Sequence, residues 1–125
     1  MPVKVIDASA LAAVLFSEPE AERVLDEIGD HAIVAPALLP FEIASVCLKK
    51  LRRHPKKRKA ILDAHALVGR LDIEMVDLSL NDAILLAERK ALTLYDAVYI
   101  RLAQRLNAGL VTLDRQVRSA FDATT

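Results

Sequence analysis

Two short apolar runs in this chain of 125 residues each lead into an aspartate. Val3, Val5 and Ile6 run into Asp7 in VKVIDAS, and Leu110, Val111, Thr112 and Leu113 run into Asp114 in LVTLDRQ. One such ending is ordinary turn chemistry, because Asp is favoured where a strand turns. Two of them, near opposite ends of the chain, ask for a common cause. In an open parallel sheet ligands bind beyond the C-terminal ends of the strands, so both carboxylates would face one crevice.

Two further acids fit the same crevice. Asp96 opens a helix, where exposed N–H groups and the helix dipole stabilise a carboxylate, so a plain first-turn cap is the rival reading. Its direction argues for more. At the helical period, Arg101, Gln104 and Arg105 share a solvent face, and Asp96 points roughly 130° away from it, toward the apolar side. A charge placed there needs a partner. Glu42 sits early in a long helix, where an acid is again favourable. Ser45, Lys49 and Arg53 follow it along one face, with Ala44, Cys47, Leu48 and Leu51 expected on the opposite, apolar face.

Four converging carboxylates repel one another and raise each other's pKa unless a cation relieves the charge. Carboxylate oxygens and water are the ligands that Mg²⁺ or Mn²⁺ prefers, so Asp7, Glu42, Asp96 and Asp114 are candidate metal-binding and catalytic residues. His31, His54 and His65 lack zinc spacing and read as structural or surface residues. Ser9 and Thr112 are candidates to hold the acids through their hydroxyls, with helix capping and strand-end packing as the alternatives. Thr93 is a candidate N-cap for the helix that carries Asp96.

The elements that must position these residues alternate. Strands are expected at Val3–Ile6, His31–Pro36, Ile73–Val76 and Leu110–Leu113. Helices are expected from Ala8 to Phe16, with Ser9 as a possible cap, and from Ser17, Pro19 and Glu20 to about Ile28. Others span Leu38 to Arg53, Lys56 to Arg70, Ser79 to about Ala91, and Thr93 to Leu106, with one last helical turn at Gln116 to Phe121. Gly29 and Asn107-Ala108-Gly109 are stop signals. Short strands alternating with helices give a parallel α/β sheet flanked by helices. The length fits one domain, residues 1–125.

Composition bounds the rest. Residues are 54% apolar with a mean hydropathy of +0.28, enough for a core and compatible with a partner surface. Aromatics are only 4%, with no Trp, so base stacking is not expected to dominate nucleic-acid contacts. The formal charge is zero, from 17 basic and 17 acidic residues, but it is uneven. KKLRRHPKKRK, Lys49 to Lys59, holds eight basic residues and no acid. It is either a solvated helix end or a phosphate-binding patch, with Lys49, Arg52, Arg53, Lys56 and Lys57 as the candidate phosphate contacts. Cys47 is the only cysteine, which excludes an intrachain disulfide, and it reads as a core residue. No apolar run is long enough to span a bilayer and no signal peptide is evident, so a cytoplasmic location is expected.

Taken in order, VIDASAL, VAPALLPFEIASV, TLYDAVYIRLAQ and LVTLDRQ resemble the acidic motifs of PIN-domain ribonucleases, most closely the VapC-type toxins of type II toxin–antitoxin pairs. The resemblance covers nearly the whole chain. It implies a three-layer fold with a central parallel sheet of four to five strands. It implies a Mg²⁺- or Mn²⁺-dependent endoribonuclease that leaves a 5′-phosphate and a 3′-hydroxyl. It also implies a homodimer and a cognate VapB-type antitoxin that covers the groove. Two departures stand out. Gln116 occupies a position where many relatives have another acid, which weakens any second metal site, and with the end at FDATT a fifth strand is expected to be short or missing. Two other readings compete: an inactive PIN-like domain that binds RNA or protein, and a Mg²⁺-dependent phosphoryl-transfer domain, receiver-like or phosphatase-like. The second lacks an Asp-x-Asp after the first strand and a Lys after a late one.

Overall fold

The computed structural model describes residues 2–124. Its strands are β1 (Val3–Ile6), β2 (Ala32–Pro36), β3 (Ile73–Val76) and β4 (Gly109–Val111). Its helices are α1 (Ala8–Leu15), α2 (Ala21–Ile28), α3 (Leu39–Arg53), α4 (Arg58–Ala66), α5 (Leu80–Lys90), α6 (Leu94–Arg105) and α7 (Arg115–Thr124). The strands form one parallel sheet in the order β3-β2-β1-β4, flanked by helices. Val5 pairs with Val34 on one side and Leu110 on the other. This register brings the ends of β1 and β4 together, and the Asp7 N–H donates to the Val111 carbonyl at 3.1 Å. The four-stranded α/β architecture matches the expectation, and the sheet gains no fifth strand among the described residues.

The core lies between the sheet and the helices. Val5, Ile6, Val34, Leu110 and Val111 are buried from the strands. Helix α6 contributes Ala97, Val98, Tyr99, Ile100, Leu102 and Ala103, and α3 contributes Leu39, Ile43 and Cys47. A strand buried on both faces reads as a continuous apolar run, which is why VKVI and GLV carry little alternation. No helix among the described residues is long and apolar enough to cross a membrane.

Several boundaries differ from the sequence expectation, each for a local reason. The cap of α1 is Asp7, which accepts from the Ala10 N–H, while Ser9 lies inside the first turn. Ser17 adopts a left-handed conformation (φ 53°), so it cannot serve as an extended N-cap, and α2 starts only at Ala21. Glu18 instead pairs with Lys50 on α3 at 3.0 Å. The segment after Pro55 begins as a tight 3-10 turn, leaving α4 shorter than expected, and another such turn follows at Leu67–Arg70. Ser79 precedes α5 without a side-chain cap bond. The final turn is a full helix, α7, anchored by Val117 and Phe121, four residues apart and both buried. On α3, Ala44 and Leu48 are exposed; the buried seam is Leu39, Ile43 and Cys47.

That seam fixes the direction of Glu42, next to Ile43, and it can be tested. Ile43→Ala should cost about 2–5 kcal/mol. Leu48→Ala, at a position 45% exposed, should cost less than about 1 kcal/mol. Urea denaturation midpoints measure both, and equal losses would mean that the helix is seated on a different face.

Candidate active site

Asp7 follows β1 directly and is 5% exposed. A carboxylate so deep must be hydrogen-bonded. Ser9 Oγ donates to its Oδ1 at 2.7 Å, and the Ala10 N–H donates to the same oxygen at 3.1 Å. The Thr112 hydroxyl donates to Oδ2. Thr112 Oγ1 also accepts from the Asp114 N–H at 3.1 Å, and Ser9 Oγ accepts from the Leu113 N–H at 2.9 Å. Two hydroxyls thus join the ends of β1 and β4 around one buried charge. Asp114 Oδ1 accepts from the Gln116 and Val117 N–H groups at 2.9 and 3.1 Å, so Asp114 caps α7. Thr93 caps α6 by accepting from the Asp96 N–H at 3.1 Å.

Three of the acids are held above their ordinary pKa. Burial raises Asp7, against the lowering effect of Thr112, Ser9 and Ala10, and the charge of Asp114 adds to the rise. Burial also raises Glu42, with contributions from Asp96 and Asp7. Asp96 is raised by burial, then by Asp114 and Asp7, against the bond to Thr93. Asp114 thus acts on Asp7 and Asp96, and Glu42 is reached by Asp96 and Asp7, though the four come from the end of β1, α3, α6 and the turn after β4.

Tyr99, three residues after Asp96 on α6, is a member of this group that the motifs alone do not single out. Its hydroxyl faces Glu42 and is pushed far above the phenol range by burial first and by Glu42 second. The two groups interact but do not reach hydrogen-bond geometry, so Tyr99 OH and Glu42 Oε1 are both buried without a partner. Helical spacing was the available signal, since residues three apart share a face.

A groove of about 770 Å³ adjoins Asp114 and Thr112 and is flanked by Arg23, Arg115 and Arg118. It does not extend to Glu42 or Asp96. These arginines form no block in the sequence, so charge clustering does not reveal them. Arg118 is already engaged, donating to the Leu110 carbonyl and pairing with Glu27 at 3.5 Å. In the basic segment, Lys49, Arg52, Arg53, Lys56 and Lys57 are exposed. Lys50 pairs with Glu18 and lies 5.0 Å over the Phe16 ring, while Lys59 pairs with Asp63 at 2.7 Å. Glu42 shares α3 with Lys49, Lys50, Arg52 and Arg53, the last about 16 Å further along its axis, while Lys56 and Lys57 lie in the turn that follows.

Similarity to known proteins gives the family of the chain. The pattern that defines the PIN domain matches residues 4–121. The chain is 31% identical over 127 residues to Ribonuclease VapC3 of Pyrobaculum aerophilum, covering 95% of each protein. The chain belongs to the PIN-domain family. Its fold is similar to the crystal structure of PAE2754 from Pyrobaculum aerophilum, with a TM-score of 0.66 at 21% identity over 95% of this chain and 84% of that one. Family membership sets aside the receiver-like and phosphatase-like alternatives.

Hard oxygen donors are what this PIN domain offers an ion. The donor chemistry fits a divalent cation such as Mg²⁺: carboxylates that raise one another's pKa, and one buried carboxylate oxygen without a partner. No three His, Cys, Asp or Glu side chains among the described residues already stand at metal-holding spacing. The acids share a field without being closed into a cage.

The raised carboxyls fix the sign of a pH effect. Above its ordinary pKa of 3.8, the folded state retains the proton on Asp96 longer than the unfolded state does. Stability of the metal-free protein from this group therefore falls as pH rises from about 4 through the raised value. Asp96→Asn should raise the metal-free melting temperature by a few degrees at neutral pH, with the gain vanishing near pH 4. Asp7→Asn should gain less, because three hydrogen bonds use its two oxygens. Melting curves in EDTA across pH measure this, and a loss for Asp96→Asn would mark that residue as a simple cap.

Proposed function

We propose that this chain is a metal-dependent endoribonuclease of the VapC type, the toxin of a toxin–antitoxin pair, which hydrolyses RNA phosphodiesters to inhibit translation. One observation carries the reading. Asp7, Glu42 and Asp96 lie on three separate elements, yet the carboxyl of each is raised in part by another acid, and no basic side chain figures among the main influences on them. Uncompensated charge of this kind is the mark of a functional site rather than of a structural ion pair. The ribonuclease name of the VapC3 relative supports the same substrate.

Asp7, Asp96 and Asp114 would hold Mg²⁺ or Mn²⁺, directly or through water, with Glu42 beside them. When bound, such an ion polarises the scissile phosphate and lowers the pKa of an attacking water. Asp7 is set in place by Ser9 and Thr112, and Asp96 by the α6 terminus that Thr93 caps. Glu42 orients the attacking water for in-line displacement. That geometry has no need of a 2′-hydroxyl, so selectivity for RNA comes from the shape of the bound strand. Lys49, Arg52, Arg53, Lys56 and Lys57 contact phosphates on either side of the cut. The protein acts in the cytoplasm as a homodimer, and a VapB-type antitoxin covers the groove.

Cleavage of a fluorogenic RNA with Mn²⁺ or Mg²⁺, and its loss in EDTA, tests the reading. Asp96→Asn should reduce kcat by at least about a hundredfold with the fold retained. RNA binding without cleavage under any metal would favour an inactive binding domain, and cleavage in EDTA would refute the mechanism. Binding to a non-cleavable RNA should also depend on salt. Changing Lys56 and Lys57 together to Gln should flatten the slope of log K against log salt by about 1.4, since each single-strand phosphate that a lysine neutralises adds about 0.7. An unchanged slope would assign these lysines to solvent alone.

A further inference from the structure

Burying a hydroxyl without a partner costs about 1–3 kcal/mol, and a Phe at the same place would avoid that cost. Tyr99 nevertheless places its hydroxyl in the core, where the residue is 2% exposed. Glu42 Oε1 lies buried and equally unpaired. Two orphaned atoms of complementary type, a donor and an acceptor, face each other across α3 and α6. Their mutual influence is strong, since Glu42 is the largest charged influence on Tyr99 and Tyr99 the largest favourable influence on the Glu42 carboxylate. The third residue involved is Asp96, one turn before Tyr99 on α6.

We propose that Tyr99 is a positioning residue for Glu42: its hydroxyl donates to Oε1 when the acidic centre is engaged, and so presents the other carboxylate oxygen to that centre. The proposal rests on the endoribonuclease reading for its consequence, but the contact itself does not. Tyr99 touches neither substrate nor ion. It selects one orientation of a carboxylate that Asp96 and Asp7 repel. Its placement on the helix of Asp96 means that any shift of α6 would move both groups together.

The chain has two Tyr and no Trp, so Tyr95→Phe leaves Tyr99 as the sole intrinsic fluorophore. Tyr95 is 56% exposed and is not part of the acidic centre. Phenol emission is quenched when the hydroxyl donates to a carboxylate. Mg²⁺ added to the Tyr95→Phe protein should therefore lower the emission, and Glu42→Gln should abolish that response. Tyr99→Phe should leave the metal-free melting temperature unchanged or higher. It should lower kcat about 10–100-fold with little change in KM for RNA, and should add nothing in the Glu42→Gln background. Emission indifferent to Glu42→Gln, or the same loss of kcat with and without Glu42, would overturn the proposal. A wild-type protein that cuts no RNA, while Tyr95→Phe emission falls with Mg²⁺ and loses that response on Glu42→Gln, would refute the endoribonuclease reading and uphold the contact.

Discussion

A buried charge at the end of a central strand is the constraint on which the rest depends. Asp7 cannot be solvated by bulk water, so the chain must solvate it. It does so with groups drawn from both ends of the sequence: Ser9 and Ala10 from α1, and Thr112 from the far side of β4. These bonds also account for the order of the sheet at its centre. Pairing β4 against β1 brings Thr112 to Asp7, and Asp114 follows within two residues. One carboxylate thereby organises the junction of strand, helix and turn, and the position of a second carboxylate comes with it.

Hydrogen bonds lower the cost of burying Asp7 but do not remove it. Its pKa remains raised, as do those of Glu42 and Asp96, and each of these acids is disfavoured by at least one other. A fold selected only for stability would place a Lys or Arg among them or replace one by an amide. The lysines that do form ion pairs, Lys50 with Glu18 and Lys59 with Asp63, use acids outside this group. The unneutralised field is therefore a property kept against stability, and the orphaned pair of Glu42 and Tyr99 belongs to the same account.

What is legible in the sequence follows from the range of the interactions involved. The apolar runs that end on Asp7 and before Asp114 are local signals, and they mark the strand ends and the parallel sheet directly. Thr93 and Asn107 likewise act within a few residues of themselves, as the cap of α6 and a left-handed stop. Local signals fail where a tertiary contact overrides them. Ser17, Pro19 and Glu20 carry a helix-start pattern, but Ser17 turns left-handed and the neighbouring Glu18 pairs with Lys50 on α3 instead. The sequence misleads about α3 at Ala44 and Leu48 because a helix of mixed character offers two apolar stripes, and only packing against α1 and α4 selects Ile43 and Cys47. Tyr99 escapes notice because a Tyr inside an apolar helical stretch looks like ordinary core. Its hydroxyl becomes conspicuous only once its surroundings are known.

Helix α3 shows why charge pattern alone is ambiguous. An acid in the first turn and bases in the last turn are what the helix dipole favours, so Glu42, Lys50, Arg52 and Arg53 would suit a purely structural helix. Burial separates the two accounts. A residue retained for the dipole alone sits in solvent, where its charge costs nothing, whereas Glu42 is partly buried, has its pKa raised by that burial and then by Asp96 and Asp7, and is left with an unpaired oxygen. At the other end the argument reverses. Lys49, Arg52 and Arg53 are exposed and form no ion pair among the described residues, whereas Lys50, one position from Lys49, is held by Glu18. Exposed, unpaired bases lose little on meeting a phosphate, while a base already paired must first give up its acid. The same helix thus carries a strained acid at one end and uncommitted bases at the other, an asymmetry that the dipole does not produce.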